Sequence, residues 1–222
     1  MDVSTVVQLA ILGGLLSLDT TAFLQVMASQ PIVGGALAGW IVGDPVLGLV
    51  LGATLQLVWI GVLPVGATPF PDTAPASVAA VGAAFIIARG LPPGAWATAV
   101  ALLIALATGI AGQRVIVMLR RFNVRLAELA FDGIEAGRRG AVGVAVSAAL
   151  ATRFGAGVLL TGAALLVAFA ASFAVPSGGR LLPLAVWAAP LAAAAVASGG
   201  RRMERTAVAA GLLAGACLLF FI

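Results

Sequence analysis

Residues 32–43 decide how this chain is expected to fold. They read Ile-Val-Gly-Gly-Ala-Leu-Ala-Gly-Trp-Ile-Val-Gly, and Asp44-Pro45 follows them directly. The piece is apolar and rich in glycine, and it is shorter than the roughly 20 apolar residues that a spanning helix needs. A further apolar piece, residues 46–65, follows at once and ends in Pro64-Val65-Gly66. Hydrophobic segments broken by Gly and Pro indicate discontinuous helices, whose freed backbone groups must face protein or water. The alternative is ordinary helices joined by tight turns.

The composition places these segments in a membrane. Hydrophobic residues make up 62% of the 222 positions, charged residues only 9%, and the mean hydropathy is +1.18. A soluble domain averages about a quarter charged residues. We therefore predict an all-α, polytopic integral membrane protein with about six to eight spanning, re-entrant or broken helices. The net charge of +4 comes from arginines in short clusters between apolar runs, which is a topology signal and not a nucleic-acid surface.

The whole chain, residues 1–222, is expected to form one membrane domain with three parts. Residues 1–112 carry the motifs, residues 113–140 form an Arg-rich amphipathic segment at the cytoplasmic face, and residues 141–222 supply C-terminal helices. Residues 3–16 are short for a span, so they form either a half-helix or a span completed through the polar residues that follow.

The helical pieces farther along the chain follow from the same apolar pattern. A helix over 74–88 and a span over 95–112 precede the Arg-rich segment. After it, we predict a short interfacial or re-entrant helix over 141–151 and a separate span over 158–175. The remaining expected pieces are a span over 181–197, a second basic cluster over 201–205 and a last apolar run over 207–222.

Carboxylates stand out in the first 88 residues, which contain no Lys or Arg. Three of them, Asp19, Asp44 and Asp72, interrupt hydrophobic stretches beside Gly, Pro or Thr. An ionisable group at membrane depth is costly, so it normally lines a cavity or a pathway. The alternative is that each acid only caps a helix or closes a turn.

Missing residue types limit the chemistry. The chain has no His and no Tyr, and its single cysteine, Cys217, can form neither an intrachain disulfide nor a Cys-based metal site. No glycine-rich phosphate loop occurs either. We therefore expect no catalytic residue, no cofactor and no metal in this chain, and any energy coupling must come from another protein or from ions.

Several motifs, taken in series, resemble the mannose/fructose/sorbose family of phosphotransferase-system IIC subunits. The resemblance covers residues 10 to 90 in order and spacing, and farther along only Arg120-Arg121-Phe122-Asn123 also fits. The motifs are Leu18-Asp19-Thr20-Thr21-Ala22-Phe23, Ser29-Gln30-Pro31-Ile32-Val33-Gly34-Gly35, Gly39-Trp40-Ile41-Val42-Gly43-Asp44-Pro45, Gly48, Gly52-Ala53-Thr54-Leu55-Gln56, Gly61-Val62-Leu63-Pro64-Val65-Gly66 and Pro71-Asp72.

This resemblance implies a sugar-translocating, non-catalytic subunit in the bacterial cytoplasmic (inner) membrane. Such a subunit works with a IID-like membrane partner, and a hexose is phosphorylated on release by a soluble IIB protein that is itself supplied by IIA. Phosphoryl groups travel on histidines of the soluble proteins, which is compatible with a chain that has none. A homo-oligomer of IIC–IID units is also expected.

Five polar residues are the candidates for binding sugar hydroxyls: Gln56, Asp72, Asp19, Gln25 and Gln30. Gln56 and Asp72 come first because both lie in the broken-helix region, whereas Asp44 is expected to be a turn or cap residue. Trp40 and Trp59 are expected to pack or to lie at the membrane interface in preference to stacking on sugar.

Two departures from the family pattern leave other functions open. Family members often carry Glu where this chain has Gln56, and its C-terminal half is shorter than usual. The alternatives are an ion-coupled secondary transporter that uses Asp19 or Asp72 as coupling acid, and a non-transporting membrane scaffold or sensor.

Overall fold

The computed structural model describes residues 1–23, 25–61, 69–89 and 93–174, and these residues form helices without any strand. This confirms the prediction of an all-α membrane fold. The helices are α1 (Val3–Thr21), α2 (Pro31–Val42), α3 (Pro45–Trp59), α4 (Thr73–Ala88), α5 (Ala95–Glu135) and α6 (Ala141–Ala174).

Helix α1 is a complete span that continues through the polar residues at its end. Asp2 caps its N-terminus, and hydrogen bonds led by the Thr5 hydroxyl lower the pKa of Asp2 to about 2, so the cap stays ionised at neutral pH. The helix runs 19 residues, to Thr21, and it accommodates Ser17 and Thr20 because their hydroxyls donate to carbonyls of the preceding turn. Of the two predictions for this segment, the span completed through the polar cluster is the one observed.

Helices α2 and α3 form an antiparallel hairpin in which neither helix can cross a membrane alone. At 1.5 Å per residue, the 12 residues of α2 extend about 18 Å and the 15 of α3 about 22 Å, against a hydrocarbon core of about 30 Å. Gly43 turns the chain with φ +89°, and the Asp44 side chain accepts a hydrogen bond from the Leu47 N–H at 2.9 Å. Asp44 is thus the helix cap that the sequence indicated.

Glycines on the facing sides of the hairpin bring the two backbones into contact. A Cβ added to Gly35 would lie 2.8 Å from the Cα of Gly52, and one added to Gly48 would lie 2.7 Å from the Cα of Gly39. Real Cβ atoms do not approach so closely, so the hairpin can pack this tightly only because all four positions lack a side chain.

Helix α4 is the centre of the bundle. Its residues from Ala74 to Ala84 are buried, and α1, α2, α5 and α6 pack around it. Most of these residues are Ala, Ser or Gly, which lets the neighbouring helices approach closely.

Helices α5 and α6 are longer than any span and meet at the turn 136–140. The prediction of a separate short helix over 141–151 is wrong, because α6 is continuous from Ala141 to Ala174. Thr152 does not break it, since its hydroxyl donates to the Ala148 carbonyl at 2.9 Å, and Arg153 is tolerated there because an acid from another helix neutralises it. Similarly, the predicted span over 95–112 and the Arg-rich segment belong to one 41-residue helix.

The lengths of the helices indicate where the membrane lies. Within the described residues, α1, α5 and α6 are long and apolar enough to cross a bilayer. Large apolar side chains are exposed at regular spacing, for example Val7, Ile11 and Leu15 on α1, as expected for helices that face lipid. Helices α5 and α6 extend about 60 and 50 Å, so each is longer than the hydrocarbon core is thick. The charged residues between Arg114 and Arg139 indicate that their shared end is the part that projects beyond the core. We call this end, with the turn 136–140 and its arginines, the Arg-rich end.

Some sequence predictions lie outside the described residues. They are the break at Pro64-Val65-Gly66, the span over 181–197, the second basic cluster over 201–205 and the last apolar run over 207–222.

Candidate functional site

A buried ion pair joins α6 to the start of α4. The Arg153 guanidinium donates from Nη1 to Oδ2 of Asp72 at 2.7 Å and from Nη2 to Oδ1 at 3.0 Å, while its Nε donates to the Ser17 carbonyl at 3.0 Å. The Asp72 side chain is completely buried and that of Arg153 is 7% exposed. This bidentate geometry is the strong form of an Arg–carboxylate contact, and it ties α4, α6 and α1 together.

The backbone around Asp72 is also held in place. The Asp72 N–H donates to the Gly109 carbonyl at 3.0 Å, and its side chain packs against Gly112 of α5. Sequence reasoning listed Asp72 but missed Arg153. The available signal was that Arg153 is the single charged residue between Ala141 and Ala174, and a lone charge in a long apolar helix needs a partner.

Asp19 organises the connection between α1 and α2. Its Oδ1 accepts from the Val26 N–H at 2.7 Å, and its Oδ2 accepts from the Ser29 N–H at 2.8 Å. The Ser29 carbonyl in turn accepts from the Thr73 hydroxyl at 3.4 Å, next to Asp72. The Asp19 carboxylate therefore fixes the loop that leads into the hairpin, and links it to the start of α4.

Replacing Asp19 with Ala should loosen this loop without unfolding the bundle. The change removes two charge-assisted hydrogen bonds, each worth roughly 1.5–3 kcal/mol, and leaves the Val26 and Ser29 amides unpaired. We expect faster amide exchange and faster proteolysis within residues 25–30, while exchange in α4 is unchanged. An Asp2→Ala variant, which removes an exposed cap from the other end of α1, serves as the control. Equal protection of the loop in wild type and Asp19→Ala would contradict the assigned role.

The side chains of Gln30 and Gln56 meet at the open end of the hairpin, where α2 begins and α3 ends. Nε2 of Gln56 donates to Oε1 of Gln30 at 2.9 Å, so α3 is joined to the residue that precedes α2. Oε1 of Gln56 is buried and accepts no hydrogen bond from the described residues. An unpaired buried amide oxygen costs about 1–3 kcal/mol, which suggests that a ligand or water completes it.

Trp59, one helical turn beyond Gln56, adds a second unpaired group. Its ring packs against Gly109 of α5, and its indole Nε1–H is buried without an acceptor among the described residues. The structure thus confirms that Trp59 packs inside the protein, as expected. The sequence did not indicate that its indole N–H would lack an acceptor among the described residues. Trp40, by contrast, is 76% exposed on α2 and faces away from the bundle.

Of the five predicted site residues, four belong to this connected region. Asp19, Gln30, Gln56 and Asp72 lie on elements that are joined by the Gln30–Gln56 and Ser29–Thr73 hydrogen bonds, while Gln25 lies exposed in the loop with φ +55°. The Gln25 side chain makes no hydrogen bond within the described part of the chain. No group of three potential metal ligands occurs there either.

Comparison with known proteins assigns this fold to a family. Residues 3–172 match the family described as the sorbose-specific IIC component of the PTS, the phosphotransferase system. A fructose permease IIC component from Bacillus subtilis (strain 168) is 33% identical over 95 residues, which are 43% of this chain and 33% of that protein. A PTS sorbose-specific EIIC component from Lacticaseibacillus casei is 32% identical over 95 residues, 43% of this chain and 32% of that protein. The chain spans less than half the length of the curated relatives it matches.

A solved structure supports the same architecture. A chain in the cryo-electron-microscopy structure of the mannose transporter ManYZ with microcin E492 superposes with a TM-score of 0.57. The match covers 98% of this chain and 77% of that chain at 21% identity, so it shows a shared fold.

Proposed function

This chain belongs to the sorbose-specific IIC family of PTS membrane components, and we propose that it is the sugar permease subunit of such a system. The observation that carries the proposal is the partly buried Gln30–Gln56 pair, together with two buried groups that have no partner among the described residues, Oε1 of Gln56 and, one helical turn further along α3, Nε1–H of Trp59. Sugar hydroxyls both donate and accept hydrogen bonds, so one hydroxyl can donate to the Gln56 oxygen and another can accept from Trp59.

The two acids have a supporting role in this proposal. Both carboxylate oxygens of Asp72 are engaged by Arg153, and both of Asp19 accept backbone N–H groups. Either acid would have to give up a strong interaction in order to bind sugar directly. We assign Asp72 to holding the start of α4 and Asp19 to shaping the loop, with Gln30 and Gln56 as the residues that contact sugar, while Gln25 would reach sugar only if the loop closed over it.

The proposal includes the partners that the family resemblance implies. The substrate is a hexose, the membrane partner is a IID-like subunit, and soluble IIA and IIB proteins supply the phosphoryl group. The complex is a homo-oligomer of IIC–IID units in the bacterial inner membrane. The arginines of the turn 136–140 favour a cytoplasmic location for the Arg-rich end, which is the side on which a soluble IIB protein would receive the sugar.

Gln56→Leu should weaken sugar binding about tenfold or more, because it removes both the Gln30 partner and the unpaired oxygen offered to a hydroxyl. The measurement is phosphoenolpyruvate-dependent phosphorylation of fructose, sorbose and mannose by membranes that contain the chain and its partners. Gln30→Leu should act in the same direction.

Gln8→Leu is the matched control, since Gln8 is an exposed glutamine on α1, and it should leave phosphorylation unchanged. Wild-type activity in Gln56→Leu would contradict the site. Uptake that instead collapses with the membrane potential, while phosphoenolpyruvate is present, would favour ion coupling. A transcriptional phenotype without any uptake would favour the scaffold or sensor.

A further inference from the structure

A polar cavity lies between α5 and α6, and neither Gln30 nor Gln56 lines it. Its volume is about 310 Å³, within the range of small-ligand pockets. The polar side chains that line it are Arg120, Asn123 and Arg153, and the rest of its wall is aliphatic, including Ala22 and Ala149. None of the described residues that line it is acidic.

Arg153 retains hydrogen-bonding capacity towards this cavity. A guanidinium has five N–H donors, and three of them are used on Asp72 and the Ser17 carbonyl. The other two form no hydrogen bond with the described residues, although Arg153 is only 5% exposed. A nearly buried cation with unused donors favours an anion as its neighbour.

Arg120 adds a second cation to the same wall. Its guanidinium carbon lies 5.7 Å from the centroid of the Phe70 ring, which holds the charge beside the start of α4. The Asn123 side chain adds an amide NH₂ group to the guanidinium groups of Arg120 and Arg153. Together these three side chains carry several N–H donors, which suits an anion with several oxygens.

The geometry points to a binding pocket for a phosphate group. Guanidinium groups bind phosphate through paired, charge-assisted hydrogen bonds, and the aliphatic remainder of the wall can hold the carbon part of a phosphate ester. This site is separate from the glutamine pair and does not depend on the sugar-binding proposal.

Its position admits two sources of phosphate. The 21 uncharged residues that follow Arg153, from 154 to 174, are long enough to cross the hydrocarbon core by themselves, which allows Arg153 to lie at its boundary with water. At such a boundary, the phosphate group can come from the headgroup of an anionic lipid or from a soluble phosphate ester.

The test measures phosphate binding to the purified full-length chain. In one arm, isothermal titration uses inorganic phosphate and glucose 6-phosphate as probes in a neutral detergent. In the other arm, the Tm is compared in nanodiscs of pure phosphatidylcholine and in nanodiscs with added phosphatidylglycerol. Arg120→Gln should lower the affinity for the responding probe about tenfold, because it removes one charged donor group.

Two further variants separate loss of the site from loss of the fold. Ala149→Leu keeps both arginines and fills part of the cavity, so it should also weaken binding. Arg121→Gln changes an exposed arginine next in sequence that does not line the cavity, and it should leave binding unchanged.

Each outcome either supports or overturns the proposed phosphate site. Binding of the soluble probes that falls in Arg120→Gln and Ala149→Leu supports a free phosphate ester as ligand. A rise in Tm with phosphatidylglycerol alone, lost in the same two variants, supports a lipid headgroup. Absence of both responses in the wild type overturns the proposal, and so does an equal loss in Arg121→Gln.

Discussion

Arg153→Met is expected to lower the Tm of the purified protein by roughly 10 °C, because removing one partner of a buried ion pair costs about 3–5 kcal/mol. The change leaves the fully buried Asp72 carboxylate without its two charged donors and the Ser17 carbonyl without its side-chain donor. Asp72→Asn should also destabilise the protein, since it strands the guanidinium in the same place. Thermal unfolding in detergent measures both effects.

Two variants decide whether the loss reflects the stranded charge. Arg153→Met combined with Asp72→Leu removes both charges, and replacing a buried pair by apolar residues is often neutral, so most of the stability should return. Arg139→Met, which removes an exposed arginine from the turn 136–140, should change the Tm little. If the double variant were as unstable as Arg153→Met alone, the loss would come from packing and not from an uncompensated charge.

Gly48→Ala is expected to have the second-largest effect, because the added methyl group meets the backbone of α2. The new Cβ would lie 2.7 Å from the Cα of Gly39 and would also overlap the Gly35 carbonyl oxygen, and neither atom can move without separating the helices. Overpacking of this kind costs up to about 3 kcal/mol, which corresponds to a fall in Tm of roughly 6–12 °C. Gln56 would shift with α3, so sugar phosphorylation should fall as well.

The matched control is Gly155→Ala on α6. No other part of the described structure lies within 4 Å of a Cβ built there, so the substitution meets nothing. Because Ala costs less backbone entropy than Gly in a helix, the Tm should stay the same or rise slightly. A fall in Tm in Gly155→Ala as large as that in Gly48→Ala would show that glycine content, not contact between α2 and α3, sets the stability.

The short hairpin and its cap could be predicted because both depend on local chemistry. Residues 32–43 are too short to span, and Gly43 permits the left-handed turn that Asp44 then caps. The prediction of two separate helices within residues 141–175 was wrong for a related reason. It rested on the local rule that a polar pair such as Thr152-Arg153 interrupts an apolar helix. That rule fails when a distant residue, here Asp72, neutralises the charge inside the bundle.

The sequence by itself determined the membrane class, the family resemblance and the polar residues of the first 90 positions, because hydropathy, turn chemistry and motif order are all local properties. Only the tertiary structure decided what those residues do. It pairs Asp72 with Arg153, 81 positions away, and it shows that Asp19 holds a loop. It also shows that one oxygen of Gln56 has no partner among the described residues. The physical reason is that a buried polar group is defined by its partners, and helix packing, not position in the chain, supplies those partners.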